Sequence, residues 1–423
     1  MSWQRRTSVL VAGTALAITA AVTAGGAALA APAAHLTGSA LAAPAAHLSG
    51  TAHLPLKIKV IGRLPDGRPK LTRSSPTGLP PAAIAKVYTL SGLAPTSGAG
   101  AGQIIAIVDA FHDPSALSDL NKFDAQYGYA HLAACTSLSQ SGPCFKQVDP
   151  QGTPRVNAGW VLEESLDIEW AHAEAPAAKI VLVEAASNSN TNLFNAVKSA
   201  NALGATEVSM SWGGGEFSGE TALDSDFTHA GTFYTASAGD SGHQAEYPAA
   251  SRHVMAVGGT TLNGCSGTSC SGFKSETTWS GSGGGASAVE PLPGYQSGYT
   301  GPVFRASTIS LLTGGKRGIP DVSFDANPNT GVSIFDSTRI QGQSGWFTVG
   351  GTSVGAPNWA GILAAGRAAG KTALQGSSAI YSGGYKTNLR DVTSGNNGTC
   401  GTDCTAGTGY DLVTGLGSPI NYP

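Results

Sequence analysis

The sequence predicts an α/β protein built on a doubly wound parallel sheet with helices on both faces. Short apolar runs at 103–108, 179–184, 207–211, 233–237 and 254–257 have the length and composition of strands buried on both faces. Amphipathic stretches at 115–127, 160–173, 192–203 and 220–229 lie between them, and such alternation favours parallel pairing with helical crossovers. The chain has 423 residues, long enough for a large core; 12% are charged and 58 are glycine, so it reads as sparsely charged and rich in loops.

Taken in order, the chain opens with Arg5 and Arg6, an apolar alanine-rich stretch at 9–30, and the small-x-small site Ala28-Leu29-Ala30. This predicts a signal peptide over 1–30 and a secreted product; a retained anchor is the rival, since the stretch is nearly long enough to span a bilayer. A leader or linker, read as a short prosegment, is expected over 31–78. It contains the repeat Ala31-Pro32-Ala33-Ala34-His35-Leu36, which returns from Ala43 to Leu48, and then a basic, proline-rich tract with Lys57, Lys59, Arg63, Arg68, Lys70 and Arg73. That tract reads as a solvated spacer, so order is expected from Leu79, with a short helix at 80–93 leading into one domain over 79–423. The Gly-, Ser- and Thr-rich stretch 264–287 is expected to form irregular loops. From Asn388 onward, Gly, Asp, Asn and Thr suit turns and ion binding.

The net charge of −3 gives no general attraction to nucleic acid or to anionic membranes. Six cysteines fall into sequence-local pairs, Cys135 with Cys144, Cys265 with Cys270 and Cys400 with Cys404, and are read as disulfides of an oxidising compartment.

The chemistry concentrates near Gly350-Gly351-Thr352-Ser353-Val354-Gly355-Ala356-Pro357, between a strand-like run and a helix-like segment. Ser353 would stand at the corner, where glycines permit a tight turn and helix-start N–H groups favour negative charge. No histidine lies in a His-Gly-Thr segment. Acids are offered instead: Glu163 and Asp167 are one helical turn apart on one face, and Asp240 follows a strand in Gly239-Asp240-Ser241-Gly242. Adjacent carboxyls resist joint ionisation, and a protonated Asp can donate to an oxyanion.

The octapeptide resembles the nucleophile segment of subtilisin-like serine peptidases. With Glu163-x-x-Leu166-Asp167-Ile168-Glu169, Ser209-Met210-Ser211-Trp212-Gly213, Ala238-Gly239-Asp240-Ser241-Gly242, Ala256-Val257-Gly258-Gly259-Thr260 and Pro320-Asp321-Val322-Ser323, the chain is similar to the sedolisins, the serine-carboxyl peptidases, from about Leu79 to Pro419. The resemblance implies a subtilisin-like fold, Ser353 as nucleophile, Glu163 as general base, Asp167 as its orienting partner and Asp240 as oxyanion donor. It also implies one structural Ca2+ held by Asp391, Asp411 and the carbonyls of Val392, Gly407 and Gly409, ligands a hard cation prefers. Family members typically carry a large folded pro-domain, which 31–78 is too short and proline-rich to form. The implied function is a secreted, acid-acting endopeptidase, monomeric, taking protein or peptide substrates and contacting neither nucleic acid nor, after signal removal, membrane. A tripeptidyl aminopeptidase of the same family, a catalytically silent peptide-binding homologue, and a neutral subtilisin with an unrecognised histidine are the alternatives.

Overall fold

The computed structural model describes residues 50–371 and 376–422; the expected signal peptide and the leader up to residue 49 lie outside them. In chain order the elements that frame the site begin with β1 (Lys57–Ile58), β2 (Thr72–Arg73), α1 (Pro81–Tyr88), β3 (Ile104–Ala110), α2 (Ala116–Tyr127) and β4 (Phe145–Val148). They continue with α3 (Ala158–Glu174), β5 (Lys179–Ala185), α4 (Asn190–Ala202), β6 (Glu207–Met210), β7 (Phe233–Ser237) and β8 (Met255–Ser266). The last are β9 (Ser269–Thr278), β10 (Val322–Asp325), β11 (Val332–Ile340), β12 (Gln343–Gly350) and α5 (Gly355–Ala368).

One eight-stranded sheet runs in the order β9-β8-β7-β6-β3-β5-β4, with β10 added to β8. Every pair is parallel except β8 with β9. The apolar runs explain this: all of β5 and all of β3 beyond Ile104 are buried, as strands covered on both faces must be. The chain leaves β3 toward β4 and β5 on one side and later adds β6 on the other. A crevice therefore opens at the carboxyl end of β3, where doubly wound sheets place their ligands.

Two helices line this crevice. In α3 every residue from Trp160 to Glu174 is buried, acids included. Its start is fixed by Asn157, whose Oδ1 accepts from the N–H groups of Gly159 (3.1 Å) and Trp160 (3.4 Å). Its far end meets α5 closely: a Cβ on Gly361 would lie 2.5 Å from Glu174 Cβ. A second sheet, β1-β12-β11 with β2 also on β12, covers the other side of α3. There Trp170 Nε1 donates to the Ser333 carbonyl (3.1 Å), and Phe335 N–H donates to Glu169 Oε2 (3.1 Å).

Three expectations change. The tract 57–78 is not a solvated spacer, because β1 and β2 pair antiparallel with β12 and Leu71 is buried. Backbone pairing of an edge strand is indifferent to basic side chains that point to water, so composition alone concealed it. The stretch 264–287 is not irregular: β8 and β9 form a long hairpin across it, closed by the Cys265–Cys270 disulfide. Residues Glu220–Phe227 form a 3₁₀ helix rather than an α-helix. The other two expected disulfides, Cys135–Cys144 and Cys400–Cys404, are formed as well. Among the described residues no helix is long and apolar enough to cross a membrane.

Candidate active site

Ser353 sits in a single 3₁₀ turn, Thr352–Val354, between the end of β12 and the start of α5. The turn needs the glycine before it, since Gly351 has φ +110° and a side chain there would strike both the Pro55 carbonyl oxygen and Asp240 Oδ2. It is held from below by Asn358 Nδ2, which donates to the Val354 carbonyl (2.7 Å), and by Ser211 Oγ, which donates to the Ser353 carbonyl (3.4 Å). Ser353 is fully buried, and its N–H donates to the Pro55 carbonyl at 3.3 Å.

Asp240 follows β7 on a loop that turns through Gly239, φ +107°. Thr352 donates to Asp240 Oδ1 from its N–H (2.8 Å) and its hydroxyl (3.0 Å). Oδ2 accepts no hydrogen bond among the described residues; Lys57 Nζ lies 4.0 Å away. Burial pushes this carboxyl up to about 6, against the opposing pull of the Thr352 N–H and of Lys57.

Glu163 and Asp167 are fully buried on α3, and Asp109 is fully buried at the end of β3. None of their oxygens has a hydrogen-bond partner within reach among the described residues. Burial holds Glu163 well above the usual carboxylate range and the Asp109 charge adds to it, while the neighbouring Ser353 hydroxyl and the Asp240 charge act more weakly, the hydroxyl favouring the anion. Asp167 is raised well above its ordinary value by burial first, then by Asp109 and Glu163, with Ser211 opposing. Burial alone takes Asp109 up to about 8. Three buried carboxyls without partners among the described residues resist ionising together, so they titrate as a unit. Glu164 is raised too, by burial and then by Glu184, and lies toward a different group: Glu184 accepts from Asp113 N–H, Gln147 Nε2 and the His112 ring.

The structure thus brings Ser353, Glu163, Asp167 and Asp240 together. Sequence reasoning passed over Asp109 as a member of the cluster. Its signal was a carboxylate at the carboxyl end of the first core strand. Ser353 Oγ has no hydrogen-bond partner among the described residues, so no described histidine engages it.

In the tail, Asp411 and Asp391 face one loop. Asp411 accepts from the N–H groups of Gly407 (2.8 Å) and Thr414 (2.8 Å), and Asp391 from Gly409 N–H (2.7 Å). Gly407 and Gly409 are buried, and among the described residues no donor reaches their carbonyls. Two acids tied to the N–H groups of the loop that carries two buried carbonyls without donors, with the Val392 carbonyl linked to Asp411 through Thr414 (3.2 Å), are the oxygen ligand types that a hard cation takes, although both Asp411 oxygens already accept hydrogen bonds.

A buried serine at a strand-to-helix corner, over the carboxyl ends of a doubly wound parallel sheet, defines a class by architecture: the subtilisin-like fold. Residues 156–382 match the subtilase family. The chain belongs to that family, on its sedolisin branch. It is 32% identical over 377 residues to kumamolisin of Bacillus sp. (strain MN-32), covering 82% of this chain and 63% of kumamolisin. To sedolisin of Pseudomonas sp. (strain 101) it is 28% identical over 384 residues, covering 82% and 61%. The chain therefore spans somewhat less than two thirds of each of these relatives. Among solved structures it is similar to Pseudomonas sedolisin, a serine-carboxyl proteinase complexed with two molecules of pseudo-iodotyrostatin, with TM-score 0.65, 28% identity, and coverage of 82% of this chain and 96% of that one.

Proposed function

We propose that the protein is a secreted, acid-acting serine-carboxyl endopeptidase. The observation that carries this reading is the pocket beside Ser353: three buried carboxyls, no described histidine at the serine, and a fourth carboxyl, Asp240, with Oδ2 free. In this reading the cluster holds protons on Asp109 and Asp167 and one negative charge on Glu163, the member that the serine hydroxyl stabilises as an anion. Glu163 takes the hydroxyl proton as Ser353 Oγ attacks the substrate carbonyl, and returns it to the leaving amine. The Ser353 N–H and a protonated Asp240 receive the oxyanion, a role closed to an ionised Asp240. Water then hydrolyses the ester.

The groove around Ser353 takes extended chain on both sides, including four residues upstream of Pro55 from Thr51, which supports internal cleavage over removal of tripeptides. Asp391, Asp411 and the carbonyls of Val392, Gly407 and Gly409 would hold one Ca2+, whose contribution is to neutralise two acids and fix the loop. Secretion rests on the basic and apolar pattern of residues 5–30 and on the three disulfides. The test is hydrolysis of a denatured protein between about pH 3 and about pH 8 by the wild type, Ser353→Ala and Glu163→Gln. Acid activity in the wild type alone is expected; activity shared by all three excludes the mechanism.

A further inference from the structure

A second group of chemistry-bearing side chains lies one strand over from the carboxyl cluster. Glu184, near the end of β5, is the register partner of Asp109 on β3, while His112 follows β3 and Asp149 follows β4. Phe111 has φ +74°, a left-handed conformation uncommon for a bulky residue, and turns the chain so that His112 comes back over β5. His112 Nδ1 lies 2.8 Å from Glu184 Oε2, and one donor atom from each of His112, Asp149 and Glu184 lies within 4.8 Å of the others.

Both carboxyls have one oxygen held in place and one left for the group. Glu184 Oε1 accepts from Asp113 N–H (2.7 Å) and Gln147 Nε2 (2.7 Å), which leaves Oε2 to the imidazole. Asp149 Oδ2 accepts from the Thr153 hydroxyl (2.6 Å), whereas its Oδ1 is buried with no hydrogen-bond partner among the described residues. Outer contacts of this kind orient metal ligands. Two further acids adjoin the group. Glu164 is fully buried with neither oxygen bonded, and Glu184 is the charge that acts on it most strongly; Asp113 is fully buried with Oδ2 unbonded. Among the described residues the His112 ring is the one ionic partner of these four acids, and no Lys or Arg pairs with any of them. Buried acids that lack cationic side chains are suited to coordinate a cation.

We propose that His112 Nδ1, Asp149 Oδ1 and Glu184 Oε2 form a binding site for a zinc ion, separate from the calcium loop of the tail. One imidazole nitrogen with two carboxylate oxygens suits a borderline cation and supplies too few oxygens for Ca2+. The two negative charges match the two positive charges of the ion. Tetrahedral ligands at about 2.0–2.1 Å from zinc stand about 3.3 Å apart, so His112 and Glu184 need to separate by only about 0.5 Å, and the proton between them passes to solvent. Water takes the fourth position. The ion would tie the carboxyl ends of three strands together. β4 gains most, because it is the edge strand and pairs within the sheet only with β5.

The test uses the full chain, freed of metal with a chelator and held at about pH 7. Zn2+ at about 100 times its Kd is expected to raise the melting temperature by at least about 3 °C, and to do so equally in Asp411→Ala, which lacks a tail ligand. Excess Ca2+ or Mg2+ should not displace it. X-ray absorption at the zinc edge should show one imidazole and oxygen ligands at about 2.0 Å, without sulfur. Hydrogen exchange across residues 145–153 should slow when zinc is added. His112→Gln and Asp149→Asn should each weaken zinc binding by about 100-fold or more. Asp149 is only half-buried, so Asp149→Asn decides the matter even where His112→Gln fails to fold. Zinc held as tightly by Asp149→Asn as by the wild type, which would put the ion on other groups such as His35 and His47, overturns the proposal, as does a wild type whose melting temperature ignores zinc. Peptidase activity enters none of these measurements, so their outcome is independent of the role of Ser353.

Discussion

Thr352 fixes one oxygen of Asp240 with two hydrogen bonds, at 2.8 and 3.0 Å, and leaves the other without a donor, beside Gly351 and the Pro55 carbonyl. A carboxyl held this way offers a hydrogen bond only while Oδ2 carries the proton. With Asp240 pushed up to about 6 by burial, peptidase activity should fall as pH rises through that value. Asp240→Asn carries an N–H donor at every pH. Its kcat should therefore keep a plateau above about pH 6, at a lower maximum, whereas Asp240→Ala should lose on the order of 10²–10³ in kcat throughout. A pH–rate profile of Asp240→Asn that falls where the wild type falls would remove Asp240 from the oxyanion role.

Glu163 and Asp167 separate catalysis from stability. Each is a buried carboxyl raised well above its ordinary range, burial outweighing the nearby Ser353 and Ser211 hydroxyls, so its charged form costs the fold stability. Glu163→Gln preserves shape and removes that cost. Its melting temperature near pH 7 should equal or exceed that of the wild type, while kcat falls by about 10²–10⁴ with the loss of the base. Destabilisation parallel to the loss of activity would mean that the carboxyl serves the fold instead.

The same logic extends to the whole molecule. Burial raises Asp124 and Asp336 to about 8, Glu207 to about 7 and Glu184 to about 9, all above the values of an unfolded chain. Between the unfolded values near about 4 and these folded ones, the native state binds more protons than the unfolded state, so stability decreases with rising pH. The expected melting temperature is highest at or below about pH 4 and declines steadily to about pH 8. A protein most stable at neutral pH would show that these groups are ionised and paired in the native state.

What the sequence made legible, and what it hid, follows from how each feature is encoded. The parallel sheet was readable because strands buried on both faces must be short apolar runs. Glu163 and Asp167 were readable as a pair because an i, i+4 spacing fixes their common face. That α3 is buried on every side was not readable: its amphipathic pattern predicts an acidic face in water, whereas Glu174 lies against Gly361 of α5 and Glu169 against the backbone of β11. Asp109 reaches the cluster only through the three-dimensional adjacency of β3 and α3. Chain pairing around Pro55 uses main-chain groups, so the leader carried no side-chain signal of its place in the groove.

The tail yields a prediction about cation and loop together. Gly407 packs its backbone against the Phe304 ring and Gly409 against the Pro302 carbonyl, so neither tolerates a Cβ. A chelator should lower the melting temperature of the wild type. Asp411→Ala should be less stable and indifferent to the chelator, and Gly407→Ala should be destabilised by about 1–3 kcal/mol through overpacking. A wild-type melting temperature that ignores both chelator and added Ca2+ would leave these acids as loop ties alone.

The contact between α5 and α3 links packing to catalysis. Ser353 leads into α5 and Glu163 rides on α3, so the distance between the proposed nucleophile and base depends on how closely the two helices approach. That approach is set at Gly361, where a Cβ would lie 2.5 Å from Glu174 Cβ and 2.7 Å from Glu174 Cγ. Neither atom is the free end of a flexible chain, so Gly361→Ala must push the helices apart. A cost of about 1–3 kcal/mol is expected from overpacking. A fall of about tenfold or more in kcat is expected as well, because proton transfer is sensitive to sub-ångström misplacement. Gly159→Ala is the control on the same helix: the nearest atom to a Cβ there is Asn157 Oδ1 at 3.5 Å, an ordinary contact, and the change should stabilise by about 0.4–1 kcal/mol with kcat unchanged. If Gly361→Ala destabilises the protein yet leaves kcat at the wild-type level, the spacing of the helices does not set the geometry of Ser353 and Glu163.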